Sequence, residues 1–227
     1  MENGRGATPH WLDVAPERIE GWLADFATRH GATVTTTDPS RAIVTARAAD
    51  GSVAQCQVPF PPLPGAASGS PADLAAHAAA DRTVGVLLVR LGGYAAGVFA
   101  GAPPRLVNSK VGSRLVHGRS AAGGQSQQRF ARRREKQARE ALTAAADCAA
   151  AVLGSAEGRL DAVVLGGDRR AIAALRDDPR LRRYFDLAVE RFLTVPDPRL
   201  AVLQATPRQF RAVRVRLTEG AASSIAG

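Results

Sequence analysis

Cysteine is almost missing from this 227-residue chain: Cys56 and Cys148 stand alone and far apart, with no CxxC spacing. That excludes a cysteine-built zinc site and a disulfide framework, and it fits a reducing cytoplasm. Lysine is as scarce, Lys110 and Lys136 being the whole complement. No uncharged apolar run approaches the ~18 residues of a membrane span. The opening MENGRGATPH also lacks the basic region and apolar stretch of a secretory signal. A cytoplasmic protein without membrane contact is the expectation. The histidines His10, His30, His77 and His117 show no metal-ligand spacing, and Asp81, Asp161 and Asp168 are too scattered for a two-metal nuclease. Neither a metal nor a cofactor is expected.

What is present is a core-forming composition, 45% hydrophobic and 22% charged, with a strong basic bias. Thirty basic residues face 21 acidic ones, a net charge of +9, and nearly all the cations are arginines, whose planar fork pairs bidentately with phosphate. The charge is concentrated. Between Arg105 and Glu140 lie ten basic residues and two acidic ones, whereas the first 80 residues hold five basic and eight acidic. A cluster this tight marks a polyanion-binding element. Its helical stretch carries mostly alanine on the apolar side, a poor surface for lipid, so RNA or DNA is preferred over membrane.

The pattern divides the chain. Ile19, Trp22, Leu23 and Phe26 recur at helical spacing within Val14 to His30, and Gly31 stops the helix. Strands follow at Ala32 to Thr37, Arg41 to Ala48 and Ser52 to Val58, the last two joined by an Asp50-Gly51 hairpin turn. The segment Pro59 to Ser70, PFPPLPGAASGS, reads as a linker, so residues 1–70 are expected to form a small α+β domain. Residues 71–227 form the second. A helical turn at Pro71 to Asp81 leads into a strand meander: Val84 to Arg90, Tyr94 to Ala100, Leu106 to Val111. A long helix spans Ser126 to Leu153, with arginine opposite its apolar face. A strand at Leu160 to Leu165, a helix capped by Asp168, and strands at Arg191 to Val195 and Phe210 to Leu217 complete a mixed sheet flanked by helices. Gly92 to Gly97 has too little of a dinucleotide fingerprint to be more than strand turns.

Before the long helix runs GSRLVHGRSAAGGQ, Gly112 to Gln125, a glycine- and serine-rich loop expected to protrude. It continues as SQQRFARRREK. The stretch Gly123-Gly124-Gln125-Ser126, Arg129-Phe130-Ala131-Arg132 and Arg134 closely resembles the catalytic segment of the eukaryotic and archaeal class I peptide chain release factors. In those proteins a GGQ tripeptide at a loop tip precedes a helix opening S-x-x-R-F-A-R-x-R. The likeness covers about Val84 to Leu217, the family's middle domain, and implies an RNase H-like mixed sheet. The N-terminal 80 residues show no likeness to the stop-codon-reading domain, and with the sequence ending at Gly227 a GTPase-recruiting domain is not expected. A closer similarity is to the Vms-type release-factor-like hydrolases, where the glutamine sits in a looser G-x-x-Q pattern, which Gly124 and Gln127 also satisfy.

The resemblance implies a peptidyl-tRNA hydrolase of ribosome rescue or quality control, a monomer acting with the large subunit, its rRNA and peptidyl-tRNA. Gly123, Gly124 and Gln125 would be catalytic, with Gln127 the alternative glutamine. Glycines let the backbone approach RNA closely, and a glutamine supplies a backbone N–H for a developing oxyanion and an amide that orients water. Arg114, Arg119, Arg129, Arg132, Arg133, Arg134 and Lys136 are the expected RNA contacts. The alternative is a non-catalytic ribosome- or tRNA-binding module that uses the same basic helix.

Overall fold

The computed structural model describes residues 9–64, 69–90, 93–113 and 126–220, without the side chains of residues 126–131 and 134. The first elements are β1 (His10–Val14), α1 (Ile19–His30), β2 (Thr33–Thr37), β3 (Ile43–Ala48), β4 (Val53–Gln57) and α2 (Pro71–Ala79). Then come β5 (Val84–Arg90), β6 (Gly93–Ala100), β7 (Arg105–Ser113), α3 (Ser126–Gly154) and β8 (Ala162–Gly167). The last are α4 (Arg169–Ala174), α5 (Arg182–Asp186), β9 (Ala188–Leu193), α6 (Leu200–Phe210) and β10 (Val213–Thr218). They form two compact units, Met1–Ala80 with Arg208–Gly227, and Asp81–Pro207.

The first unit is an antiparallel sheet of order β1-β10-β4-β3-β2. Alternation decides its two faces. Val213, Val215 and Leu217 of β10, Ala54 and Cys56 of β4, and Val44 and Ala46 of β3 are buried against Ile19, Leu23 and Phe26 of α1 and Leu74 of α2. Gly31, at φ +89, ends α1, and the Ser70 side chain caps α2 by accepting the Asp73 N–H at 3.1 Å. At the β3–β4 hairpin Gly51 takes φ +86, while the Asp50 carboxylate accepts the Ser52 N–H at 2.8 Å.

Three sequence expectations change here. The segment read as a linker folds back in its described part: Leu63 is fully buried in the first core and donates its N–H to the Arg41 carbonyl. Proline-rich composition excludes regular pairing, but a single leucine suffices to anchor such a segment. For the same reason α2, which packs on α1, belongs to the first unit, so the boundary falls at Ala80 and not at residue 70. The strand expected to end the second sheet, β10, instead lies between β1 and β4 of the first. Period-2 alternation identifies a strand but not its partners. β1 carries no signal that the sequence pattern picked up, and it ends at Val14, where the helical spacing was expected to begin.

The second unit is a mixed sheet of order β7-β6-β5-β8-β9. β5, β6 and β7 form the expected antiparallel meander, and β8 and β9 run parallel to β5, which gives the RNase H-like arrangement. Every residue of β5 except Arg90 is buried, as suits a central strand. One face packs on the rear of α3 and on the side chains of Ile172, Leu175, Leu181, Tyr184 and Phe185. The other carries Gly97 and Leu106, against which Leu203 of α6 rests. After β8, Gly167 adopts φ +100 where a Cβ would collide with the Val89 carbonyl, and Asp168 then caps α4 by accepting the Arg170 N–H at 2.8 Å. This is the strand-to-helix turn expected from the sequence. Helix α6 contains Pro207, which hides it from a reading that treats proline as a breaker. Proline cannot donate to the Leu203 carbonyl, and the buried Thr206 hydroxyl does so instead at 2.7 Å.

Candidate functional site

The site is organised by α3. Its 29 residues make a rod of about 43 Å at ~1.5 Å per residue. Ala145, Ala146, Cys148, Ala149, Val152 and Leu153 bury the rear of this rod on Leu87, Val89, Ala96 and Val98. Alanine and cysteine at these positions let the helix lie close to the sheet. Polar ties lock the same end: Asn108 Nδ2 donates to Ser155 Oγ at 2.7 Å, Cys148 Sγ donates to the Lys110 carbonyl at 3.4 Å, and Arg180 Nη1 meets Asp147 at 2.8 Å. Among the described side chains of α3 none before Ala145 is buried. The core thus grips α3 mainly from Ala145 onward, and the described side chains ahead of it are exposed or half-buried.

The leading half of α3 carries the cations. Arg132, Arg133, Lys136 and Arg139 are exposed, with Glu135 and Glu140 as local acids. Lys136 Nζ lies 3.9 Å from Glu140 Oε1, a solvent-facing pair of little energetic weight. The first turn of α3 contains no carboxylate, so the partial positive charge of its N-terminus is not offset locally. Gln127, Arg129 and Arg134 fall on the helix backbone within its first three turns, and their side chains lie outside the described residues. Gly123, Gly124, Gln125, Arg114 and Arg119 also lie outside them. Their place in the chain is nonetheless bounded: residues 114–125 connect Ser113, the end of β7, to Ser126, the first residue of α3.

The root of this connection is built from β6 and β7. Gly112 pairs with Tyr94 across the ladder, and the Tyr94 ring occupies the space a Cβ on Gly112 would need. Tyr94 in turn packs against the second core. A feature that sequence reasoning passed over, the aromatic residue at the start of β6, thus shapes the strand end from which residues 114–125 depart.

A second cluster looks catalytic at first sight. His30 Nδ1 lies 2.9 Å from Asp50 Oδ2 and 3.1 Å from Ser52 Oγ. Both partners, however, share one nitrogen, Ser52 is fully buried, and His30 Nε2 is enclosed without a hydrogen-bond partner among the described residues. A base cannot activate a serine in this arrangement. Ser52 Oγ instead accepts the Gly220 N–H at 2.9 Å, so the cluster ties the β3–β4 turn to the residues after β10. Bonding from the Ser52 N–H, and then from His30, holds the Asp50 carboxyl below its ordinary range. Among the described residues there is no group of three or more metal-ligating side chains, and no helix is long and apolar enough to cross a membrane.

The family profile of the actinobacterial and chloroflexi VLRF1 release factors matches residues 82–216, the whole second unit but for Asp81, plus the end of α6 and most of β10. The chain belongs to the VLRF1 release-factor family. Similar solved structures include the archaeal translation termination factor aRF1, at 13% identity over 91% of this chain and 68% of that one, with a TM-score of 0.42. A second archaeal protein is similar at 14% identity over 92% and 68%, with a TM-score of 0.33. No curated protein matches the chain. As a VLRF1 release factor, the chain has a release-factor-like role in translation, and the ribosome is its partner.

Proposed function

We propose that this VLRF1-family chain hydrolyses the ester between nascent peptide and tRNA on stalled ribosomes or large subunits. One observation carries the reading: Gly123-Gly124-Gln125 abuts the first residue of a helix whose described forward cations, Arg132, Arg133, Lys136 and Arg139, are exposed and whose rear is fixed in a core. Such a helix suits the delivery of a tripeptide into an RNA-walled cleft, its arginines meeting phosphates that set register and reach. At the ester, water attacks the carbonyl carbon, the C–O bond to the ribose breaks, and the ribose oxygen leaves with a proton. The Gln125 backbone N–H meets the developing oxyanion while its side-chain amide orients the water. Removing one such donor typically costs a factor of about 10² to 10³. Gly124 keeps the backbone free of a Cβ that would hold it away from RNA.

The test is release of a labelled nascent chain from purified large subunits carrying peptidyl-tRNA. Release by the intact chain and its loss in Gln125→Ala support hydrolysis. Binding to the subunit with no release in either supports the non-catalytic docking module, for which the α3 cations alone would suffice.

A further inference from the structure

The helices of the first unit cover one face of its sheet, and among the described residues of that unit no helix covers the other. Pairing across the five strands places Trp11, Arg216, Gln55, Thr45 and Thr36 in one transverse row on that outer face. At the usual strand spacing of about 4.8 Å the row is roughly 19 Å long. Its side chains are not those of an indifferent solvated sheet. Trp11, one of only two tryptophans in the chain, is 45% exposed, and the Arg214 guanidinium lies 4.5 Å from its ring centroid. Arg47, Arg214 and Arg216 are exposed on this face, where Asp13 is the one carboxylate contributed by the strands. Gln55 and Gln57 add amides that both donate and accept.

We propose that this face is a docking surface for single-stranded RNA. The Trp11–Arg214 stack is the platform for unpaired bases, since base–aromatic and base–guanidinium stacking needs no sequence match. Arg47 and Arg216 meet phosphates on either side of it, and the glutamine amides read base edges. Charge complementarity selects the polyanion, and the exposed indole selects a nucleic acid with splayed bases over a duplex or an acidic protein. The surface belongs to a different unit from the α3 cations, one that the family profile matches only over residues 208–216.

Tryptophan emission tests the proposal at the site itself. In a Trp22→Phe chain the only indole is Trp11, because Trp22, stacked on Phe26 at 5.9 Å, is the other one. Short mixed-sequence single-stranded RNA should quench Trp11 saturably, a duplex of the same length far less. Combined Arg47→Gln, Arg214→Gln and Arg216→Gln should weaken that quenching at least about tenfold at physiological salt. If the Trp22→Phe chain does not fold, wild-type chain and the arginine triple variant are compared by anisotropy of fluorescein-labelled RNA in a background with Arg132→Gln and Arg133→Gln, with the same expected difference. RNA that binds without changing Trp11 emission, or polyglutamate that quenches it as well as RNA does, would overturn the proposal. The readout lies in the first unit, so a Gln125→Ala chain that has lost peptide release should still quench fully.

Discussion

The Tyr94 ring lies over Gly112, its ladder partner, at the point where β7 gives way to residues 114–125. Adding a methyl group there forces the ring off its packing against the second core, an overpacking that costs about 1–3 kcal/mol. Gly112→Ala should therefore lower stability by that amount in chemical denaturation. Combined with Tyr94→Ala the two losses should fall short of their sum, because the ring that clashes is gone. Strict additivity would mean the two residues are not coupled.

The two cysteines report on the two cores. Cys56 and Cys148 are buried, one in each, and burial pushes the Cys56 thiol up to about 12 and raises that of Cys148. Neither should react with a thiol reagent at pH 8 in the native chain, since the thiolate is the reactive species. Partial denaturation followed by peptide mapping of the label should show them reacting at different denaturant concentrations, as expected of separately cored units. Simultaneous labelling throughout the transition would show a single cooperative unit.

Residues 81–207 produced alone should fold, since both faces of their sheet are covered from within that span or by α6. A chain that stops at Pro207 should lose the first unit, because it lacks β10, the strand between β1 and β4. Circular dichroism and thermal melting of both pieces check this. An intact first unit without β10 would contradict the topology.

Much of this architecture was legible in the sequence where local chemistry decides it. The VGVLLVR run, the Asp50-Gly51 turn and the Asp168 cap each carry their instruction in neighbouring residues, and the structure has β5, the β3–β4 hairpin and α4 where those signals stand. The misses are non-local. Nothing within Val213–Thr218 states that its partners are β1 and β4, roughly two hundred and one hundred and sixty residues away in register. Leu63 looks like one more linker residue until its burial is seen, and α6 is masked by a proline whose missing donor is replaced by Thr206. For the site, the arginine run includes Arg132 and Arg133, which the structure shows exposed, whereas the Tyr94–Gly112 contact had no signal in sequence spacing at all.

Reversal of charge at Arg132, Arg133 and Arg134 should weaken binding to the large subunit and flatten its salt dependence. Each lost phosphate contact lowers the log–log slope by about 0.7 to 0.9. Arg132 and Arg133 are exposed, so the melting temperature should hold within a few degrees. An unchanged salt slope would move the ribosome contact away from α3.

Gln125 decides the central claim. Single-turnover release of labelled peptide from peptidyl-tRNA on isolated large subunits, measured at saturating protein, separates chemistry from binding. Gln125→Ala should slow release by about 10² or more while subunit affinity stays the same, and Gln127→Ala should have little effect. A strong loss in Gln127→Ala alone would shift the working register to G-x-x-Q. Undiminished release by the Gln125→Ala and Gln127→Ala double variant would contradict the catalytic reading outright.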